Sequence, residues 1–178
     1  MLRATRVAIA LSLGCTAGCG QPLPTGTSPG RAPCPAPSLD VSSWRSIERK
    51  EFAFRLPPDF KSVAVQGIDS WVEQFATSDS SQVVSFDYGW HSDDLSLDPG
   101  RFSEYVSCTE TIGQRQALLV VVRYRNEHNR SQDRAYGAAA TWRDVRNGNH
   151  LTLWTWTRDP AKLPSLLGVL RTVRFRQN

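Results

Sequence analysis

The sequence predicts an α+β domain: an antiparallel sheet of about six or seven strands with one C-terminal helix packed on it. Three observations carry that expectation. Apolar residues alternate with polar ones through most of residues 44–157, the period of half-buried strands. Short turn-forming clusters separate these runs. The period then changes near the end, where leucines recur at helical spacing.

Taken in order, "EFAFRL" puts Phe52, Phe54 and Leu56 on one face, and "PPD" stops the strand. "KSVAV" places Val63 with Val65. "DSWVEQF" gives Trp71 and Phe75 a common face. A turn at "SDSS" leads into "QVVSFDYGW", with Val84, Phe86, Tyr88 and Trp90 on one face and Ser85 and Asp87 on the other, expected to meet solvent. A loop, "HSDDLSLDPG", follows, and "RFSEYV" suits a short helix. "SCTETI" and "QALLVVVRYR" pair around "GQR". "RAYGAAATWRDV" and "HLTLWTWT" flank "RNGN", where Asn147-Gly148 fits a type I′ turn. The small residues 137–140 leave room for something bulky over their strand.

The last segment reads as a helix. Asp159 is a good N-cap and Pro160 a good first residue. Leu163, Leu166, Leu167 and Leu170 lie at i, i+3, i+4 and i+7, a single apolar face. "TVRF" then returns to extended chain.

The pattern over residues 48–178 resembles the PsbP-type α/β/α sandwich. The likeness rests on the early "F-x-F-x-L-P" strand, on "GIDSWVEQF" and "VVSFDYGW", on the paired late strands, and on the leucine helix running into "TVRF". Known members of that fold bind other proteins or small ligands and are mostly not enzymes. The resemblance therefore implies a binding domain, although a shared fold does not fix a function.

The first 43 residues are of another kind. "MLRATR" is basic, "VAIALSLG" is a short apolar run, and small residues continue to Gly18. A membrane-spanning helix needs about 20 apolar residues, so residues 1–18 read as a secretory signal. Its end resembles a bacterial lipoprotein signal, in which small residues precede a lipidated cysteine. "SLGC" at Cys15 and "TAGC" at Cys19 both compete for that role. Cys19 is the expected lipidation site, because cleavage there leaves Cys34 and Cys108 as an even pair. By resemblance, acyl chains on Cys19 would anchor the protein to the lipid bilayer. An ordinary secretory signal cleaved near "TAG" is the alternative.

Residues 19–43 are rich in Pro, Gly, Ser and Thr and read as a lipidated tether, up to ~70 Å long. Residues 44–178 form the single globular domain. Localisation follows as the bacterial cell envelope, with the domain in the periplasm or at the cell surface. Cys34 and Cys108 are the candidates for a disulfide. The competing reading makes Cys108 a buried core thiol and Cys34 unpaired or joined to a second molecule.

Charge excludes one class of partner. Removing Arg3 and Arg6 with the signal leaves 19 basic residues against 17 acidic ones, too small an excess to argue for nucleic acid. The distribution is polar, however: residues 59–110 hold ten acids and two bases, and residues 111–178 hold twelve bases and four acids. Those charges either meet on one sheet or make a two-faced surface suited to a charged partner.

Candidate chemistry is sparse. Trp90, His91, Asp93 and Asp94 form a patch at the end of an aromatic strand, with a spacing that matches no metal loop. Trp154 and Trp156 share a strand face and suit either core packing or a partly open aromatic groove. No catalytic residue, cofactor or metal is expected. The sequence thus describes an anchored lipoprotein binding an envelope protein or a small ligand, with an envelope hydrolase lacking a familiar motif as the alternative.

Overall fold

The computed structural model describes residues 34–35, 39–92, 95, 102–125 and 135–176. Residues 1–33, including the signal, Cys15 and Cys19, lie outside the described residues, as do Asp93, Asp94, Asp98 and His128.

Among the described residues, ten strands and one α-helix build the domain. They are β1 (Arg45–Glu48), β2 (Phe52–Leu56), β3 (Lys61–Val63), β4 (Trp71–Ala76), β5 (Gln82–Gly89), β6 (Phe102–Ile112), β7 (Arg115–Tyr124), β8 (Tyr136–Arg146), β9 (Asn149–Thr157), α1 (Leu163–Arg171) and β10 (Arg174–Phe175). Seven strands make one sheet in the order β3-β4-β5-β9-β8-β7-β6, and its pairings are all antiparallel. The early Phe-rich strand does not join it. β2 instead pairs with β1 and β10 in a separate three-stranded sheet.

The core lies between the large sheet and a layer made of α1 and the small sheet. One row across the large sheet shows how it is filled: Cys108, Leu119, Ala140, Leu153 and Phe86 face inward from adjacent strands. Phe52, Phe54 and Leu56 close over it from β2, with Phe52 set edge-on to Phe86 at 5.1 Å between centroids. The helix contributes Leu166, Leu167, Val169 and Leu170, all buried, and rests on β8, β9 and β2.

The small residues of β8 serve both faces. Ala138 and Ala140 lie in the main core beneath the layer that contains α1. Gly137 and Ala139 point the other way and stand beside Trp156 and Trp154. A Cβ at Gly137 would come within 3.3 Å of Val122 and 3.5 Å of the Trp156 ring. Gly168 does similar work in the helix, since a Cβ there would lie 3.1 Å from the Trp44 ring.

Three local expectations change. Residues 102–106 of "RFSEYV" belong to the eleven-residue strand β6, with an irregularity between Phe102 and Glu104. Its Tyr, Val, Thr and Ile residues favour a strand, and β7 pairs with it along its length. The helix also starts late: Asp159 caps a 3-10 turn over Pro160–Lys162, accepting from Ala161 N at 2.9 Å, and α1 begins at Leu163. Pro164 has no N–H to close an α-helical bond back to Pro160, which separates the two turns. Trp90 lies past the end of β5 and is 67% exposed, so it does not extend the strand's apolar face.

The turns behave as their residues require. Asn147 and Gly148 take φ of 53° and 78°, and Gly113 and Gln114 take 59° and 66°, the left-handed pairs of two-residue hairpins. In the β4–β5 turn, Asp79 accepts from the Thr77 hydroxyl at 2.7 Å and from the N–H and hydroxyl of Ser81 at 3.0 and 2.9 Å.

Candidate binding site

Cys34 is bonded to Cys108, whose Cα lies 5.5 Å away across 74 residues of sequence. Cys108 faces the main core from β6, so Cys34 packs on that core's border. The adjacent carbonyl, Pro35 O, accepts a hydrogen bond from the Arg171 guanidinium. Arg171 also holds both carboxylate oxygens of Glu110, at 2.8 and 2.9 Å. Further along, Arg55 donates to Val41 O at 3.2 Å. The chain leading into the domain is therefore fastened at residues 34, 35 and 41.

This fastening borders one open cleft, and a second cleft shares the half-buried Phe175 with it. The first, of about 560 Å³, is lined by Val41, Arg55, Arg171 and Arg174 together with the Gly113–Gln114 turn. The second, of about 710 Å³, is lined by Arg115, Arg146 and Arg176 with Val145 and the same turn. Arg115 lies over the Phe175 ring, 5.2 Å from its centroid, a favourable cation–π geometry. Among the described residues, no carboxylate lines either cleft. Glu48, which pairs with Arg176 at 3.1 Å, has its pKa lowered first by the Ser46 hydroxyl and then by that arginine.

The patch expected around Trp90 is only partly assembled among the described residues. The Trp90 ring covers the β8–β9 turn, where a Cβ on Gly148 would lie 3.1 Å from it. His91 is exposed beside it. Ser92 turns back, donating to Asp87 O at 3.0 Å and bonding the Thr152 hydroxyl at 3.2 Å. Asp93 and Asp94 fall outside the described residues. His150 has a local task, its Nδ1 accepting from Asp144 N at 3.2 Å.

Trp154 and Trp156 stack with ring planes 2° apart and centroids at 5.9 Å. Both are half-buried. Trp154 packs against a second, smaller apolar cluster of Leu95, Phe102, Val120, Val122 and Ala139 on the face away from the helix. Trp154 is thus packed on one side, while both rings keep part of their surface exposed. Asp87 departs from expectation more clearly. One carboxylate oxygen is buried with no hydrogen-bond partner among the described residues, at a position paired with Val72 and Thr152.

Sequence reasoning missed the arginine clefts. Their side chains come from β2, β7, β8, α1, β10 and the chain just beyond β10, so no local run announces them. The excess of base over acid in residues 111–178 was the one available signal.

The seven-stranded sheet, layered with a C-terminal helix, defines a PsbP-like fold. Among solved structures, the chain is similar to the solution structure of cyanobacterial PsbP (CyanoP) from Synechocystis sp. PCC 6803. The TM-score is 0.52 with 12% identical residues, over 80% of this chain and 98% of that one. At that identity the likeness shows the fold alone. No protein-family model matches the sequence, and no curated protein is significantly similar to it.

Proposed function

We propose that this chain is a lipid-anchored protein of the bacterial cell envelope whose domain acts by binding a protein or a small ligand, without chemistry of its own. The observation that carries this reading is the Cys34–Cys108 bridge. Disulfides persist in oxidising compartments outside the cytosol. Lipidation at Cys19 also leaves these two cysteines as the complete remaining pair. The leader of basic, apolar and small residues ending in "TAGC" supports the same destination. The PsbP-like fold supports binding, because the resemblance implies members that recognise proteins or small ligands.

Cell fractionation with lipid labelling tests the anchor. Wild type should partition with membranes and take up labelled fatty acid, and Cys19→Ala should be soluble and unlabelled. Release by Cys15→Ala instead would move the anchor to that residue. Membrane retention of both variants would refute lipid anchoring. Cross-linking of the wild-type protein in intact envelopes, followed by mass spectrometry, identifies what the domain holds.

A further inference from the structure

A charged feature of the domain surrounds Phe175. Of the six arginines lining its two clefts, three are matched by carboxylates set back from the lining: Arg171 by Glu110, Arg146 by Glu51 at 2.6 Å, and Arg176 by Glu48. The others are engaged differently. Arg55 donates to Val41 O and Arg115 to Asp144 O, both uncharged acceptors, and Arg174 is exposed. The face therefore carries a net positive charge that its own ion pairs leave in place.

We propose that this arginine-lined face docks on the anionic phospholipid headgroups of the membrane that holds the chain. The inference rests on the lipid-anchored reading above and adds an orientation to it. Its first support is where the tether arrives. The segment coming from Cys19 is fixed to the domain at Cys34 and Pro35, and Val41 forms part of the first cleft's wall. Cys34 lies fifteen positions after Cys19, a span of about 50 Å at full extension. A domain held that close meets the bilayer at a high effective concentration, with the tethered face nearest.

The second support is charge complementarity. A bacterial membrane surface carrying anionic lipid attracts guanidinium groups, each contributing about a fivefold gain in partitioning. The opposite edge of the large sheet, β3 to β5, is more nearly balanced, because Arg49 pairs with Glu73 and Arg45 lies over Phe75 there. Arginine suits the task, because its planar fork binds phosphate oxygens in pairs.

Vesicle co-sedimentation of residues 19–178 bearing Cys19→Ala tests the proposal without any attached lipid and without the basic, apolar signal. Binding to phosphatidylcholine vesicles containing phosphatidylglycerol is expected, with loss in high salt and no binding to phosphatidylcholine alone. Arg115→Gln with Arg174→Gln, both at exposed positions, should weaken binding by about 25-fold, while circular dichroism and a cooperative melt show the domain still folded. Lys61→Gln, at the opposite edge, should change nothing. Equal binding to both vesicle types, or unchanged binding of the double variant, overturns the proposal. So does calorimetric binding of inorganic phosphate without any vesicle binding, which would make the clefts a soluble-anion site. Because the assay uses an unlipidated chain, its result is separate from whether Cys19 anchors the protein.

Discussion

Arg171, at the end of α1, grips both carboxylate oxygens of Glu110 on β6. The same guanidinium reaches Pro35 O, so one side chain joins the helix, the edge of the large sheet and the incoming tether. Arg171 and Glu110 are both mostly shielded, with side chains 12% and 24% exposed. Charge-assisted bonds of this kind each contribute about 1.5–3 kcal/mol. Arg171→Met should lower stability by a comparable amount in chemical denaturation. Arg171→Lys should not restore it fully, because an ammonium cannot reproduce the two-pronged contact.

The leucine face of α1 should behave as core. Leu170 is fully buried against the sheet. Leu170→Ala should cost about 2–5 kcal/mol, the range for large-to-small changes at tightly packed sites. Ala161 lies in the exposed 3-10 turn just before it, and Ala161→Ser should leave the denaturation midpoint nearly unchanged.

Acid should loosen the β4–β5 turn only at low pH. The Thr77 hydroxyl, then the N–H and hydroxyl of Ser81, hold the Asp79 carboxyl down to about 2 from an ordinary 3.8. A group whose folded pKa is depressed contributes stability that is fully present above its unfolded pKa. That contribution is lost as pH falls from about 4 towards about 2. NMR titration of the Asp79 side chain should show the low midpoint. Asp79→Ala should remove the acid dependence of the Ser81 amide signal.

Asp87 offers a test in the opposite direction. Its buried oxygen lacks a partner among the described residues, and an unsatisfied buried acceptor costs about 1–3 kcal/mol. Asp87→Val suits the strand and removes that oxygen, so the variant should gain stability in a denaturant titration. A loss instead would mean that the carboxylate is satisfied in solution by a water or a ligand.

The elements that sequence made legible are those governed by neighbours in the chain. Alternation in Phe52, Phe54 and Leu56, the Asn147-Gly148 pair and the leucine spacing of α1 are local signals, and each produced the expected element. What escaped depends on partners far away. Whether β2 enters the large sheet or caps it is decided by β1 and β10, which lie on both sides of it in sequence and claim its edges. The helix expected at "RFSEYV" yields to pairing with β7, which local pattern does not weigh. Of the candidate site, the Trp154–Trp156 face was legible, but neighbours that pack on Trp154 come from β6, β7 and β8. The arginine clefts were hidden for the same reason. Arg55 and Arg174 meet only because β10 pairs with β2, placing Arg174 beside Ala53.

The Cys34–Cys108 bridge should be the domain's largest single covalent constraint. It closes a loop of 74 residues, for which chain entropy assigns about 4–5 kcal/mol. The observed gain should be smaller, because the folded protein must also hold residues 34, 35 and 41 against the domain. Arg171 to Pro35 and Arg55 to Val41 share that task, and they weaken once the bridge is cut. Cys34→Ser should therefore lower stability and release the segment before Trp44, while the sheet and α1 persist. Cys108→Ser should cost more, since Cys108 is 3% exposed and the hydroxyl would sit in an apolar core. Denaturation with and without reductant measures the first effect, and limited proteolysis between residues 35 and 44 measures the second. Non-reducing peptide mapping should recover the two cysteine peptides linked. Two freely alkylatable thiols in protein from an oxidising compartment would remove the bridge, and with it the fixed tether exit on which the membrane-facing orientation depends.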